Sequence, residues 1–403
     1  MVMAKEQTEK GMEKKKVCMI VYTLYPMDAR VRREAETLAA SGNFEVTVFC
    51  LKENATPKAY SKEKVSVKEL DIAKYVGGSR LHYVLSHMSF LMKAFFACSG
   101  LLFRRGIDIV HVHNMPNFLV FAAIVPKLFG KPVILDMHDS VPDTFEAKFR
   151  GKAGVLFKVL CVEEKLSAWM SDRVICVNHV QKEVTVGRGI PSEKISISMN
   201  VPDHKKFAKR ADQKNLARKQ NGKFKVVYHG TMTERLGIDL AVEAVTKLKS
   251  EIPGLELHLW GRGDSLGFLQ DRARELGSEE VVFFHGMVPI EELSGVLAEM
   301  DLGVVPNRKS AATDLMLPVK LMEYIALGIP VVAPRLKAIE YYFTDEMVSF
   351  FEPENVDAMA EAIFKVYQNG SRGKSQADKA KEFLEQYGWE KQSLDFINFY
   401  LGV

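Results

Sequence analysis

The chain is short of the residues from which several familiar chemistries are built. Five cysteines occur in 403 residues, at Cys18, Cys50, Cys98, Cys161 and Cys176. They are odd in number, widely spaced and mostly set in apolar runs, with no pair at metal-ligand spacing. That pattern reads as reduced, buried thiols of a cytosolic protein and argues against a disulfide scaffold or a zinc ribbon. There is no nucleophile elbow around a serine, no Gly-Lys-Ser/Thr phosphate loop and no defensible Cys-His arrangement. No basic run is interleaved with aromatics as a nucleic-acid groove would require, so nucleic acid is not an expected partner. No apolar leader is expected: residues 1–16 are rich in Lys and Glu and read as a flexible tail.

What remains is an ordinary globular composition, 47% apolar and 26% charged, with length for two or three domains. The net charge of +4 hides an asymmetry. Residues 1–200 carry 29 Lys+Arg against 21 Asp+Glu, so the remainder is net acidic. A basic first half suits an anionic partner such as a membrane surface or a phosphorylated substrate.

Taken in order, the chain alternates buried strands with amphipathic helices, the rhythm of parallel α/β sheets. Strands are expected at 17–24, 45–51, 65–72, 107–113, 133–137, 173–177 and 195–199. A helix follows Asp28-Ala29-Arg30 and stops at Gly42. Residues 80–105 are apolar and aromatic over most of their length, between Arg80 and Arg104-Arg105. Lys93, His82 and His87 oppose a membrane span. The expected element is a long helix over the sheet, with a helix resting on a membrane as the second reading. His111 and His113 share one side of their strand by period two. A metal site there lacks a third ligand of clear spacing, so no metal is assigned. His138 and Asp139 follow a strand and are placed at its carboxyl end, where open α/β sheets bind ligands. The polar, lysine-rich stretch 204–223 reads as a linker. A second series follows, with strands at 224–229, 255–260, 281–284, 302–305, 330–333 and 348–351.

Three segments of the second half carry chemistry. His229 through Gly237 lies between a strand and a helix expected from Ile238, where loop N–H groups and Arg235 could hold phosphate. Gly261-Arg262-Gly263 resembles a dinucleotide fingerprint but fails in spacing and lacks the following acid, which argues against NAD. Residues 313–333 combine a helix opened by Pro318, a glycine stop at Gly328 and a buried strand. Lys320 falls in the first helical turn and Glu323 three residues on, suiting a diphosphate and sugar hydroxyls respectively.

These pieces together resemble the retaining glycosyltransferases of family 4. The likeness runs over nearly all of residues 17–400 and is most specific at 317–333. It implies an α/β fold of two Rossmann-like domains (GT-B) with an interdomain cleft and a C-terminal helix. The expected divisions are a tail at 1–16, an acceptor domain at 17–203, a linker at 204–223, a nucleotide-sugar domain at 224–385 and a terminal helix at 386–403. By position, Glu323 would bind ribose hydroxyls, the main chain at His285, Gly286 and Met287 the base, and the helix start at Leu317, Pro318 and Val319 the diphosphate. Arg235 and Lys320 would supply positive charge, His138 would lie near the transferred group, and Arg30, Asp139, Gly230 and Thr231 would line the substrates. The chain departs from the family at Leu315, where a second glutamate is usual. It also has Thr231 and Leu236 where cations are usual.

The expected activity is that of a retaining hexosyltransferase. It uses a UDP- or GDP-linked sugar, needs no cofactor or metal, and acts on a lipid-linked or cell-surface glycan precursor at the cytoplasmic side of a membrane, as a peripheral protein. An epimerase of the same fold and a degenerate nucleotide-sugar-binding protein are the alternatives.

Overall fold

In the computed structural model, which describes residues 14–54, 56–75, 77, 79–149, 154–202 and 222–403, the expected alternation becomes two parallel sheets. Tertiary contacts divide the chain into one unit ending at Ser198 that also takes in Ser393–Val403, and a second of Met199–Gln392. The expected linker at 204–223 falls outside the described residues except for its last two positions. Of the expected tail, residues 1–13 lie outside as well.

The first unit opens with β1 (Lys15–Ile20), which starts two residues earlier than the apolar run suggested. Helix α1 (Ala29–Ala40) follows, capped by the Asp28 carboxylate, which accepts from the Val31 amide at 3.0 Å. Then come β2 (Phe44–Lys52), β3 (Ala59–Lys62) and β4 (Val65–Ala73). Helix α2 (Arg80–Arg105) has the bounds read from sequence; Ser79 caps its start, and it stops at Gly106, where φ is +80°. After β5 (Ile109–His113) comes a tight 3-10 turn, Asn117–Ala123, leading into the short α3 (Ile124–Leu128). The unit continues through β6 (Val133–Met137), α4 (Val141–Lys148), α5 (Gly154–Met170), β7 (Arg173–Cys176), α6 (His179–Gly187) and β8 (Ile195–Ile197).

The strand order is β3-β4-β2-β1-β5-β6-β7-β8, parallel except where β3 pairs antiparallel with β4 at the edge. The chain steps one way from β1 to β2 and the other way from β5 onward. The boundary between β1 and β5 is therefore a topological switch point, and side chains at the carboxyl ends there face a crevice.

The second unit holds β9 (Phe224–His229), α7 (Ile238–Leu248), β10 (Leu255–Trp260), α8 (Leu266–Glu275), β11 (Val282–His285), α9 (Ile290–Ala298) and β12 (Leu302–Val304). It goes on through α10 (Ala311–Asp314), α11 (Val319–Ala326), β13 (Val331–Pro334), α12 (Lys337–Tyr342), β14 (Ser349–Phe351), α13 (Val356–Gln368) and α14 (Gly370–Tyr387). The order β11-β10-β9-β12-β13-β14 puts its switch point between β9 and β12. Pro318, expected as the first helical residue, is the N-cap of α11, with ψ at 124°. Gly328 ends that segment with φ at +68°, as the stop required.

The last helix, α15 (Trp389–Leu401), buries Phe396 and Tyr400. Its end belongs to the first unit, where the Tyr400 ring packs edge-on to Phe44 and its hydroxyl meets His111 Nδ1.

Candidate active site

A polar arrangement of the second unit stands at the carboxyl end of β9. Tyr228 is fully buried and His229 nearly so. On α11, Glu323 and Tyr324 face them. The Tyr324 hydroxyl donates to the Val227 carbonyl at 3.3 Å and lies 2.9 Å from His229 Nδ1, while His229 Nε2 lies 2.7 Å from a Glu323 oxygen. One oxygen of Glu323 is thereby fixed in place. The approach depends on Gly303 in β12, because a Cβ there would lie 2.3 Å from the Tyr324 ring.

Lys320 is one turn before Tyr324. Its ammonium donates to the Tyr228 hydroxyl at 2.9 Å and sits 4.0 Å from that ring's centroid. The hydroxyl donates onward to the Thr231 carbonyl at 2.6 Å. Burial pushes the lysine down to about 7; Glu323 opposes that shift and Arg235 adds to it. Lys320 therefore titrates close to neutrality.

Two glycine turns frame the site. Gly230 adopts φ +111°, a conformation that favours glycine, and the end of Lys320 lies 3.6 Å from where its Cβ would stand. Its amide donates to the Trp260 carbonyl at 2.9 Å, and the Met232 amide donates to Arg262 O at 2.9 Å. A Cβ on Gly261 would fall 1.9 Å from Gly230 O, and one on Gly263 2.0 Å from Met232 O. The Gly261-Arg262-Gly263 turn thus lets two backbones touch and prolong the β9–β10 ladder, which accounts for the motif without a dinucleotide.

Arg235 and Thr231 are exposed, and the Arg235 carbonyl accepts from the Arg308 amide at 3.1 Å. Leu317 and Val319 are half-buried and Pro318 is buried. Leu315 is buried, and the neighbouring Asp314 turns its carboxylate to the Lys337 amide at 3.3 Å, so it caps α12 and does not substitute for a glutamate. His285 lies at the end of β11, stacked on Trp260 with centroids 3.9 Å apart, and Nε2 meets His258 Nδ1 at 3.0 Å. Gly286 and Met287 beyond it are exposed.

The first unit gathers a second cluster around Asp136. Arg30 donates to both of its oxygens, at 3.0 and 2.8 Å, and also reaches the Ser198 carbonyl at 2.8 Å and Glu34 at 3.2 Å. Arg30 was expected to bind substrate. It is 3% exposed, and its fork is occupied by Asp136, Glu34 and the Ser198 carbonyl.

His113 Nδ1 and His138 Nε2 approach the same carboxylate at 3.1 and 2.9 Å. Burial alone would raise Asp136, but Arg30 and then His138 hold it well below the usual carboxylate range. Burial would lower His138; Asp136 outweighs that and raises it. His138 is half-buried, and its backbone amide donates to Asn114 Oδ1 at 2.7 Å. Asp139 is exposed, with its carbonyl accepting from the Asn114 amide group at 2.8 Å.

The histidine pair read from sequence has further ligand types nearby. Glu34, His111, His113 and Asp136 each bring one candidate ligand atom within 4.8 Å of the others. Arg30 already places its positive charge on both carboxylates of that group, which fits a neutralised ion network better than a divalent site. Burial, followed by the neighbouring His113, lowers His111 well below its ordinary value, so His111 is neutral.

Both units also match known families. Residues 27–203 match the model described as Glycosyltransferase Family 4, and residues 223–369 the one described as Glycosyl transferases group 1. The chain is a GT-B glycosyltransferase. The transferase is 23% identical to an uncharacterized glycosyltransferase of Methanocaldococcus jannaschii, over 82% of this chain and 87% of that one. It is 29% identical to the putative colanic acid biosynthesis glycosyltransferase WcaL of Escherichia coli, over 43% of this chain and 41% of WcaL. Its fold superimposes on HepE from Anabaena, solved with UDP-glucose, with a TM-score of 0.71 and 13% identity, over 96% of this chain and all of that one.

Proposed function

We propose that the enzyme transfers a sugar, with retention at the anomeric carbon, from a UDP- or GDP-linked donor to a lipid-linked or cell-surface glycan precursor. The observation that carries this reading is the pairing of a poised Lys320 with a Glu323 fixed through His229 and Tyr324, all beside the start of α11. The first amides of α11 and the ammonium favour an incoming diphosphate, and Arg235 reinforces them from the exposed turn. Glu323 accepts the ribose hydroxyls. The base lies against the main chain at His285, Gly286 and Met287. As the glycosidic bond breaks, the departing phosphate takes the acceptor's proton, and the cations stabilise the charge it gains. His138 is proposed as a residue near the transferred group.

HepE binds UDP-glucose, and the name of WcaL refers to colanic acid biosynthesis; both support a donor of this class and a polysaccharide precursor as acceptor. The five free cysteines support the cytoplasmic side of the membrane as the working location.

Incubation with nucleotide sugars and a panel of lipid-linked acceptors tests the reading. We expect acceptor-dependent release of nucleoside diphosphate and a product whose anomeric proton matches that of the donor by NMR. Donor conversion without any acceptor would point to an epimerase, and an inverted product would refute retention.

A further inference from the structure

We propose that the outer surface of α2, α3 and α5 is a docking face that seats the first unit flat on an anionic lipid bilayer. The crossovers β4 to β5, β5 to β6 and β6 to β7 all step the same way across the sheet, and right-handed connections put their helices on one face. Helix α2 is apolar on both sides. The inner stripe of α2, with Phe90, Ala94 and Cys98 completely buried, packs on the strands. Removing that stripe would open the core, so α2 lies along the sheet although its length and hydropathy would suffice for a membrane span.

The opposite stripe of α2 exposes Met88, Met92, Phe96 and Phe103. Phe103 meets Phe129, just past α3, edge to face at 5.3 Å, which joins the two surfaces. Helix α5 is anchored beside them where the Asn117 amide donates to Glu163 at 3.1 Å. It turns Val155, Val159, Val162, Leu166 and Trp169 outward, with Val155 at 81% and Trp169 at 77% exposure.

The charges choose the occupant. Helix α2 contains no acid at all. In α5 both acids turn inward, Glu163 to Asn117 and Ser167, Glu164 to Arg188. Lys158 and Lys165 point out between the apolar residues, and Arg104 and Arg105 stand exposed at the end of α2. Lys93 is exposed too and reaches Asp71 at 3.7 Å. A second copy would oppose cation to cation across this face. Anionic headgroups complement it, with the apolar residues reaching the acyl boundary. The inference deepens the lipid-linked acceptor reading but does not need it, since docking follows from the face alone.

Co-sedimentation with phosphatidylcholine vesicles, with and without phosphatidylglycerol, tests the proposal on the full chain. Wild type should pellet with the anionic vesicles, several-fold less in 0.5 M salt. The emission of Trp169 should shift to the blue, a change absent in Trp169→Phe. The double variant Val159→Glu/Leu166→Glu should lose partitioning at least tenfold while keeping its melting temperature and its nucleotide-sugar binding. Lys158→Glu/Lys165→Glu should lose mainly the preference for anionic lipid. Wild type remaining in the supernatant, or equal pelleting of the Glu variant, overturns the proposal. So does a wild-type dimer in light scattering that the Glu variant dissociates, which would make a second copy the occupant. Vesicle binding without nucleotide-sugar binding would sink the transferase reading alone.

Discussion

Replacing Lys320 by methionine should make the protein more stable and its donor site worse. The side chain falls from an ordinary 10.5 to about 7 on folding. At about 1.4 kcal/mol per unit, holding the ammonium charged in the empty site costs about 5 kcal/mol. Lys320 keeps part of its surface in water, which discounts this to about 2–4 kcal/mol.

The sign follows from proton binding. Between pH 7 and about 10.4 the unfolded chain holds the lysine proton and the folded chain does not, so this group makes stability rise with pH across that window. Below pH 7 its full penalty is present. Methionine conserves the stem against the Tyr228 ring and removes the charge. Urea melts should therefore show Lys320→Met more stable than wild type by about 1–3 kcal/mol at pH 6.5, with the gap shrinking toward zero near pH 10. A bound diphosphate should lift the lysine back, so donor binding at pH 8 takes up a proton. Calorimetry in two buffers of different ionisation enthalpy measures that uptake. A wild-type-to-variant gap that does not change with pH, or a variant less stable at both ends, would refute the reasoning.

Two further substitutions probe the frame. Arg30→Met leaves Asp136 buried without its main cation and should cost about 3–5 kcal/mol in urea melts; loss of activity without loss of stability would instead restore Arg30 to the substrate site. Gly261→Ala places a methyl 1.9 Å from Gly230 O and should cost about 3 kcal/mol or more and weaken donor binding, whereas the open Gly267 should accept alanine with a change below about 0.5 kcal/mol, both read by thermal melting.

The parts of the fold that were legible in sequence are those whose signal is local. The bounds of α2 could be read because Ser79 caps it, a long apolar run fills it and Gly106 ends it. Residues 117–123 tighten to a 3-10 turn between apolar neighbours of the same composition, and nothing in their periodicity distinguishes the two. In the site, Lys320 and Glu323 stood out because charge inside an apolar helix start is a short-range pattern. Their partners did not. Tyr228 and His229 lie more than ninety positions away and read as ordinary strand residues, and only the register of β9 against α11 brings them together. The surroundings of Arg30 were hidden for the same reason. A cation after a first strand looks available until the sheet sets Asp136 beside it, 106 residues on.

Calorimetric titration of the full chain with UDP- and GDP-sugars, repeated on Glu323→Ala, tests the central claim most directly. Glu323 stands 2.7 Å from the His229 imidazole that orients it, and its loss removes a charged hydrogen bond to the ribose worth about 1.5–3 kcal/mol. The expected result is saturable binding of a nucleotide sugar by wild type and affinity weakened about 10- to 150-fold in the variant. Absence of binding to every nucleotide sugar, or equal affinity in both proteins, would contradict it.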